Sequence, residues 1–266
     1  MHDYIDPTWR ELLVRNGLDS FDALWALQAE WFEAPNQRRG GWSGVVRLVL
    51  DDGRGAQRVL FLKRQENHRR RSWRHPVGGE PTFAAEIRNI LALAAANVPT
   101  LQPVYYAQRR VDGRWRAILA TEELTGYRPL DAVIDRWHND GWASARAERR
   151  HVIHAAAEVA RRLHRQRLVH NALHPKHLFV RCDPQGADVR LIDLEKMRRA
   201  GSRRRAMHRD LDSLNRRTQH LSRSDRLRFL LHYLGVRSVS RRVRGHWRYF
   251  VRRARQRGAP GVFEHG

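Results

Sequence analysis

Four short segments of this 266-residue chain carry residue types that do chemistry. Gly40-Gly41-Trp42-Ser43-Gly44-Val45 packs three glycines just ahead of an apolar run. Glycine lets backbone amides approach an anion closely, and successive N–H groups make an anion nest. An ordinary glycine-rich turn is the plain alternative. Lys63 closes the apolar stretch Val59-Leu60-Phe61-Leu62. An ammonium there either marks the exit of a strand or reaches the phosphates of a nucleotide. Glu86 shares a helical face with Phe83 and Ile90 and is the first candidate for its ion-pair partner, with Glu80 the runner-up and a surface glutamate the plain alternative. The third segment, Leu168 to Val180, holds His170, Asn171, Ala172, His174, Lys176 and His177 in a polar loop between apolar ends. Asp193 then ends Leu191-Ile192, where a carboxylate is costly unless paired or metal-bound. His170 and His177 could suggest zinc, but no third ligand is evident and histidine occurs 15 times.

The elements that must position these residues can be read from the periodicity. Asp6-Pro7 and Asp19-Ser20 predict two short helices, the second carrying Phe21, Leu24, Trp25, Leu27 and Trp31. The stretch from Pro35 to Gly41 breaks that pattern. Val45–Leu50 and Arg58–Lys63 predict strands around a turn at Asp51-Asp52-Gly53. A basic loop from Arg64 to Gly79 follows, then a helix opened by Pro81. Gln102–Gln108 and Trp115–Thr121 predict two more strands joined at Asp112-Gly113. Past Thr125-Gly126 the texture turns helical, with Ala145–Arg165 the longest run and a small hairpin spanning Leu178–Val180 and Val189–Ile192. The expected class is α+β, with a strand-rich half before a helix-rich half and a boundary near Leu124–Tyr127. The division expected is residues 1–35 as a helical extension, 36–124 and 125–235 as two lobes, and 236–266 as a basic tail.

Composition limits the possibilities. A hydrophobic content of 41% with nine tryptophans argues against disorder. A single cysteine, Cys182, excludes a disulfide framework within the chain. The first residues carry two acids and no apolar run, unlike a secretory signal, and the longest uncharged stretch, Asn89 to Gln108, holds two prolines and several amides. A cytoplasmic protein of a reducing compartment, monomeric, is expected. Fifty-one basic against 28 acidic residues leave a net charge of +23. Of the basic residues only Lys63, Lys176 and Lys196 are lysine; the other 48 are arginine, as in a protein from a GC-rich genome. Ammonium and guanidinium are not interchangeable in a tight site, so the surviving lysines stand out.

The order of glycine turn, strand lysine, helix glutamate, hinge, histidine loop and strand aspartate is that of the kinase signature set. The chain resembles the lipopolysaccharide kinase (Kdo/WaaP) family, most closely its InaA-like branch. The phrases that carry this are Gly40 to Val45, Gly79-Glu80-Pro81-Thr82-Phe83-Ala84-Ala85-Glu86, Leu173-His174-Pro175-Lys176-His177 and Leu191-Ile192-Asp193-Leu194-Glu195-Lys196. The resemblance spans roughly residues 36–235. It implies a two-lobed protein-kinase-like fold with ATP at the hinge. Gly40, Gly41, Ser43 and Gly44 would cover the phosphates, Lys63 would hold the α- and β-phosphates, and Glu86 would orient Lys63. Asp193 would bind Mg²⁺, with Leu194 and Glu195 in place of the Phe and Gly that usually follow, and His177 would stand where kinases carry the Asn of the second metal. Asp210 would anchor the catalytic-loop backbone, an N-cap being its alternative. The kinase base is missing, because aligning on His170 puts Ala172 at its position. Asn171 or His174 would then orient the acceptor hydroxyl, and Lys176 would neutralise the γ-phosphate.

The acceptor implied is a sugar hydroxyl of the lipopolysaccharide core, or another anionic acceptor. A catalytically silent membrane scaffold is the first alternative. A nucleic-acid-binding protein is the second, disfavoured because no nucleic-acid motif accompanies the charge. A kinase for cationic small molecules suits so basic a chain poorly. Val236 to Arg257 holds nine arginines and no acid, with Trp247, Tyr249 and Phe250 interleaved. It reads as a helix lying on an anionic membrane surface, here the inner face of the cytoplasmic membrane, or as a solvated helix. A second basic run, Arg69-Arg70-Arg71-Ser72-Trp73-Arg74, is expected to meet the acidic acceptor.

Overall fold

A computed structural model describes residues 3–38, 40–72, 75–143 and 145–258, the side chains of 38, 71, 72 and 75–77 excepted. The chain divides into two compact units, one of residues 1–92 and 101–124, the other of 93–100 and 125–266.

The first unit is built on a six-stranded antiparallel sheet. Its strands are β1 (Tyr4–Ile5), β2 (Trp31–Arg38), β3 (Gly41–Asp51), β4 (Gln57–Glu66), β7 (Pro103–Val111) and β8 (Arg114–Glu122), in the order β1-β7-β8-β4-β3-β2. Two helices, α1 (Pro7–Arg15) and α2 (Phe21–Ala26), close one face. Asp6 caps α1 by accepting from the Thr8 amide at 2.9 Å, and Ser20 caps α2 through the Ala23 amide at 3.1 Å. Trp9, Leu13 and Leu24 pack with Val46, Leu48 and Leu50 of β3 and Leu60 and Leu62 of β4 in one core. Fully burying a side chain of this size stabilises by about 1.5–3 kcal/mol, so these helices are part of the unit rather than an extension of it. The alternation of β3 and β4 leaves Lys63 on the face opposite Leu60 and Leu62.

Two expectations fail in this unit. Trp31 does not end a helix: α2 stops at Ala26, and Trp31–Arg38 pairs with β3 despite Pro35. The ladder slips twice, between Trp31 and Glu33 and between Glu33 and Asn36, and this erases the alternation that marks a strand. The stretch after Arg64 is not a loop either. It continues β4 to Glu66 and then forms a ribbon of β5 (Arg69–Ser72) and β6 (His75–Pro81) before α3 (Thr82–Ala95). Trp73 and Arg74 of the second basic run lie outside the described residues.

The second unit is mostly helical. A three-stranded sheet of β9 (Arg128–Pro129), β11 (Leu178–Asp183) and β12 (Gly186–Leu191) runs in the order β12-β11-β9, and β10 (Leu168–Val169) pairs with β13 (Arg198–Arg199). The helices are α4 (Leu130–Asn139), α5 (Arg146–Arg165), α6 (Arg203–Arg217), α7 (Arg223–Leu234) and α8 (Arg241–Gln256). α5 buries Val152, Ile153, Ala156, Val159, Ala160 and Leu163 at the expected helical spacing. Residues 93–100 join this unit by hydrogen bonds: the Leu191 amide donates to the Pro99 carbonyl at 3.1 Å, and Thr100 Oγ1 donates to the Leu191 carbonyl at 2.8 Å.

The aromatic residues of α8 pack within the unit, Phe250 buried and Trp247 and Tyr249 half-buried. Val243, Phe250 and Ala254 are buried, and Trp247 and Phe250 line a small apolar cavity of about 70 Å³ with Leu211, Leu214, Phe229 and Leu230. Tyr249 stacks on His208 with ring centres 3.9 Å apart. What α8 presents outward is arginine: Arg241, Arg242, Arg244, Arg248, Arg252 and Arg255 are exposed. Among the described residues no helix is long and apolar enough to cross a membrane.

Candidate active site

Each unit holds candidate residues of its own. In the first, β4 lies between β3 and β8, with Lys63 opposite Val45 and Leu119. It is therefore a residue of a central strand, not an edge. Its Nζ donates to Glu86 Oε1 of α3 at 2.7 Å. The Glu86 side chain is only 5% exposed and that of Lys63 22%. Glu80, the runner-up, instead accepts from Arg88 with both oxygens at 2.7 Å.

The glycine segment is the tip and one arm of the β2–β3 hairpin. Gly40 takes a left-handed φ of 75° at the turn. Trp42, Ser43 and Gly44 are extended and paired with Glu66, Gln65 and Arg64. Consecutive ladder residues do not form the concave nest that the glycines suggested. Their lack of side chains answers to packing: a Cβ on Gly41 would run into the Glu66 carbonyl and the Asn67 backbone, and one on Gly44 would sit 2.6 Å from the Trp31 ring.

In the second unit the histidine loop hangs on one buried carboxylate. Asp210, fully buried in the middle of α6, accepts the His170 amide at 2.7 Å and the Asn171 amide at 2.9 Å. His164 Nε2 meets the same carboxylate at 3.1 Å, and Tyr233 OH lies 2.9 Å from His164 Nδ1. Asp210 is thus the loop anchor; the N-cap of α6 is Ser202. His170 is buried, with Nε2 2.9 Å from the Ile192 carbonyl, and burial pushes its pKa down. Asn171 adopts a φ of 64° and donates to the Lys196 carbonyl at 2.9 Å, tying the loop to the turn after Asp193.

His177 and Asp193 come together. His177 Nδ1 lies 2.7 Å from the Ala172 carbonyl, which fixes it as the N–H donor. The other nitrogen, Nε2, faces Asp193 Oδ2 at 3.3 Å. Engaging one ring N–H on a carbonyl leaves the second nitrogen as a ligand, the arrangement typical of metal-bound histidines. Asp193 has the left-handed φ of 57° at the end of β12, and Leu194, in the place of the usual Phe, is fully buried. An aspartate held in that region is strained, and such strain collects at functional sites. Among the described residues no three side chains form a metal-binding group. A hard cation that keeps its waters and takes phosphate oxygens is held by as few as one or two carboxylates, and Asp193 supplies one, with His177 beside it.

Asn171 and His174 line one cavity, whereas Lys176, exposed on the Pro175–His177 turn, does not. Burial, and then the charge of Arg217, push the His174 pKa down to about 4, so its ring is neutral at pH 7. Ala172 is buried and offers only its carbonyl. The sequence reading missed the arginines of this cavity and the supporting pair His164 and Tyr233. A histidine and a tyrosine on buried helix faces were the only signal for the pair.

Known proteins show the same architecture. A solved structure, "WaaP in complex with acyl carrier protein", superposes with a TM-score of 0.68 at 22% identity, covering 99% of this chain and 100% of that one. "Protein InaA" of Escherichia coli (strain K12) is 30% identical over 209 residues, 78% of this chain and 92% of the relative. The lipopolysaccharide kinase (Kdo/WaaP) family matches residues 22–233. With the kinase-like fold and the lysine–glutamate pair in place, the chain belongs to the lipopolysaccharide kinase (Kdo/WaaP) family.

Proposed function

We propose that the chain transfers the γ-phosphate of ATP to a sugar hydroxyl of the lipopolysaccharide core. The observation that carries the proposal is the ion pair of Lys63 with the buried Glu86 at 2.7 Å. Sequestering a charged pair costs desolvation, so it gives weak support to stability and better support to positioning. Glu86 holds the ammonium where it can take the α- and β-phosphates, under the hairpin of Gly40, Gly41, Ser43 and Gly44. Asp193 and His177 are the residues that would hold Mg²⁺, which when bound neutralises charge on the phosphate oxygens. Asn171 or His174 orients the acceptor hydroxyl, and Lys176 supplies a cation for the γ-phosphate.

One observation favours a silent scaffold as second reading: the residue at the usual base position is Ala172, which has no group to accept a proton. Phosphoryl transfer rests mainly on positioning and charge neutralisation, and a positioned base adds typically ~10²–10⁴-fold, so a slowed kinase remains a kinase. The test uses ATP labelled at the γ-phosphate, Mg²⁺ and core lipopolysaccharide lacking core phosphate. Label moved by wild type and not by Asp193→Asn supports transfer. No label moved by either protein, with ATP bound and the acceptor shown competent, replaces the kinase by the scaffold.

We also place the protein at the inner face of the cytoplasmic membrane, held by charge. Support comes from the exposed arginines of α8, since its aromatic residues are engaged within the unit. Binding to anionic vesicles should therefore fade as salt rises and be absent on neutral ones.

A further inference from the structure

The histidine loop opens into a cavity of about 880 Å³ whose described lining is strongly cationic. Asn171 and His174 stand in its wall, followed by arginines from β13, α6 and α8. Nine arginines line it against a single acid, Asp212. That acid is already shared among Arg216 at 3.6 Å, Arg257 at 3.8 Å and Arg253 at 4.0 Å. Asn171 Oδ1, Arg216 Nε and Arg253 Nε are buried and make no hydrogen bond. Burial, and then the neighbouring Arg216, push the Arg217 pKa down against the opposing charge of Asp212.

Guanidinium is the fork that grips phosphate and carboxylate two oxygens at a time. A cluster of them in a concavity of this size fits a compact ligand rather than a surface. An extended single-stranded nucleic acid needs free aromatic faces, but the tyrosine in the wall, Tyr249, is stacked on His208. We propose that this cavity is the acceptor site, and that it selects a saccharide carrying two or more phosphate or carboxylate groups. Its anions sit among Arg199, Arg209 and Arg217 while one hydroxyl lies at Asn171 and His174. The site thus reads pre-existing anionic groups on the acceptor and rejects the same sugars without them. This deepens the kinase function proposed above and rests on it for the word acceptor.

Binding can be measured without transfer. Calorimetry at physiological salt would use core oligosaccharide freed of fatty acids, with its acidic groups intact, against the same oligosaccharide dephosphorylated and with its carboxylates reduced. Three proteins are compared: wild type, Arg199→Gln/Arg209→Gln, and Arg10→Gln/Arg54→Gln. All four arginines are exposed, so neither double variant threatens folding. The intact ligand should bind wild type and lose roughly tenfold or more in affinity in the first double variant, since charge-assisted contacts are the strong ones. The second double variant should change it less than twofold. Equal losses in both variants, equal binding of the neutralised oligosaccharide, or equal binding of a short RNA of matched charge overturns the proposal. Lys63→Met separates the two claims. If it keeps oligosaccharide affinity but no protein moves label, the kinase fails and the anion site stands. If wild type moves label yet the cavity variant binds normally, the anion site fails and the kinase stands.

Discussion

Two buried carboxylates, one in each unit, hold their surroundings in different ways. Glu86 is neutralised by a side chain, the ammonium of Lys63 at 2.7 Å. Asp210 is neutralised by backbone, the amides of His170 and Asn171, with His164 behind them. A lysine has four rotatable carbons and can leave its glutamate for a phosphate. Two amides of a loop cannot leave without unfolding it. The first carboxylate sets where a movable cation waits, and the second sets the shape of a backbone.

The sharpest way to break that contrast is Asp210→Ala. It strands two amides and His164 in a fully buried place, each worth about 1–3 kcal/mol, so the second unit should lose several kcal/mol and show a lower Tm in calorimetry. A change under about 1 kcal/mol would mean the loop is held elsewhere. Glu86→Gln comes next and should act on function instead. It keeps shape and a hydrogen bond to Lys63, so Tm should move little while transfer falls on the order of 10- to 100-fold through a misplaced ammonium. Equal effects on Tm from the two variants would erase the distinction.

Acid should sharpen it. The His170 pKa is lowered in the fold, so the neutral ring is the folded form. Its contribution is complete above the ordinary value of about 6.5 and is lost as pH falls below that toward the lowered one. Protection factors of amides around His170, corrected for the intrinsic exchange rate, should therefore fall between pH 7 and pH 5 before those in β4 do. Tyr233→Phe is the mildest test. It removes the hydroxyl 2.9 Å from His164 and should cost about 1 kcal/mol, with transfer within about twofold of wild type.

Much of this was legible in the residues. Lys63 stood out because an ammonium at the end of an apolar strand in an arginine-rich chain has few reasons to be there, and Glu86 because Phe83 and Ile90 fixed its helical face. Asp193 was marked by the apolar run it ends. Strand β2 was hidden by its own irregularity, since two register slips and Pro35 cancel the period of two. The β5–β6 ribbon carries arginines and glycines where strands usually carry branched residues. The arginines of the cationic cavity were invisible for a simpler reason: with 48 in the chain, these nine look like the rest. In α8 the aromatic stripe was seen, but an apolar face reads the same whether it meets lipid or a neighbouring helix.

That last point bears on where the chain can be cut. Because α8 returns Val243, Phe250 and Ala254 to α6 and α7, a premature stop after Gly235 would not trim a loose end. It would lay open Leu211, Leu214, Phe229 and Leu230, a sticky patch of the kind that drives aggregation. A frameshift or a protease in that stretch would therefore be seen as insolubility before it was seen as a change in what the protein binds.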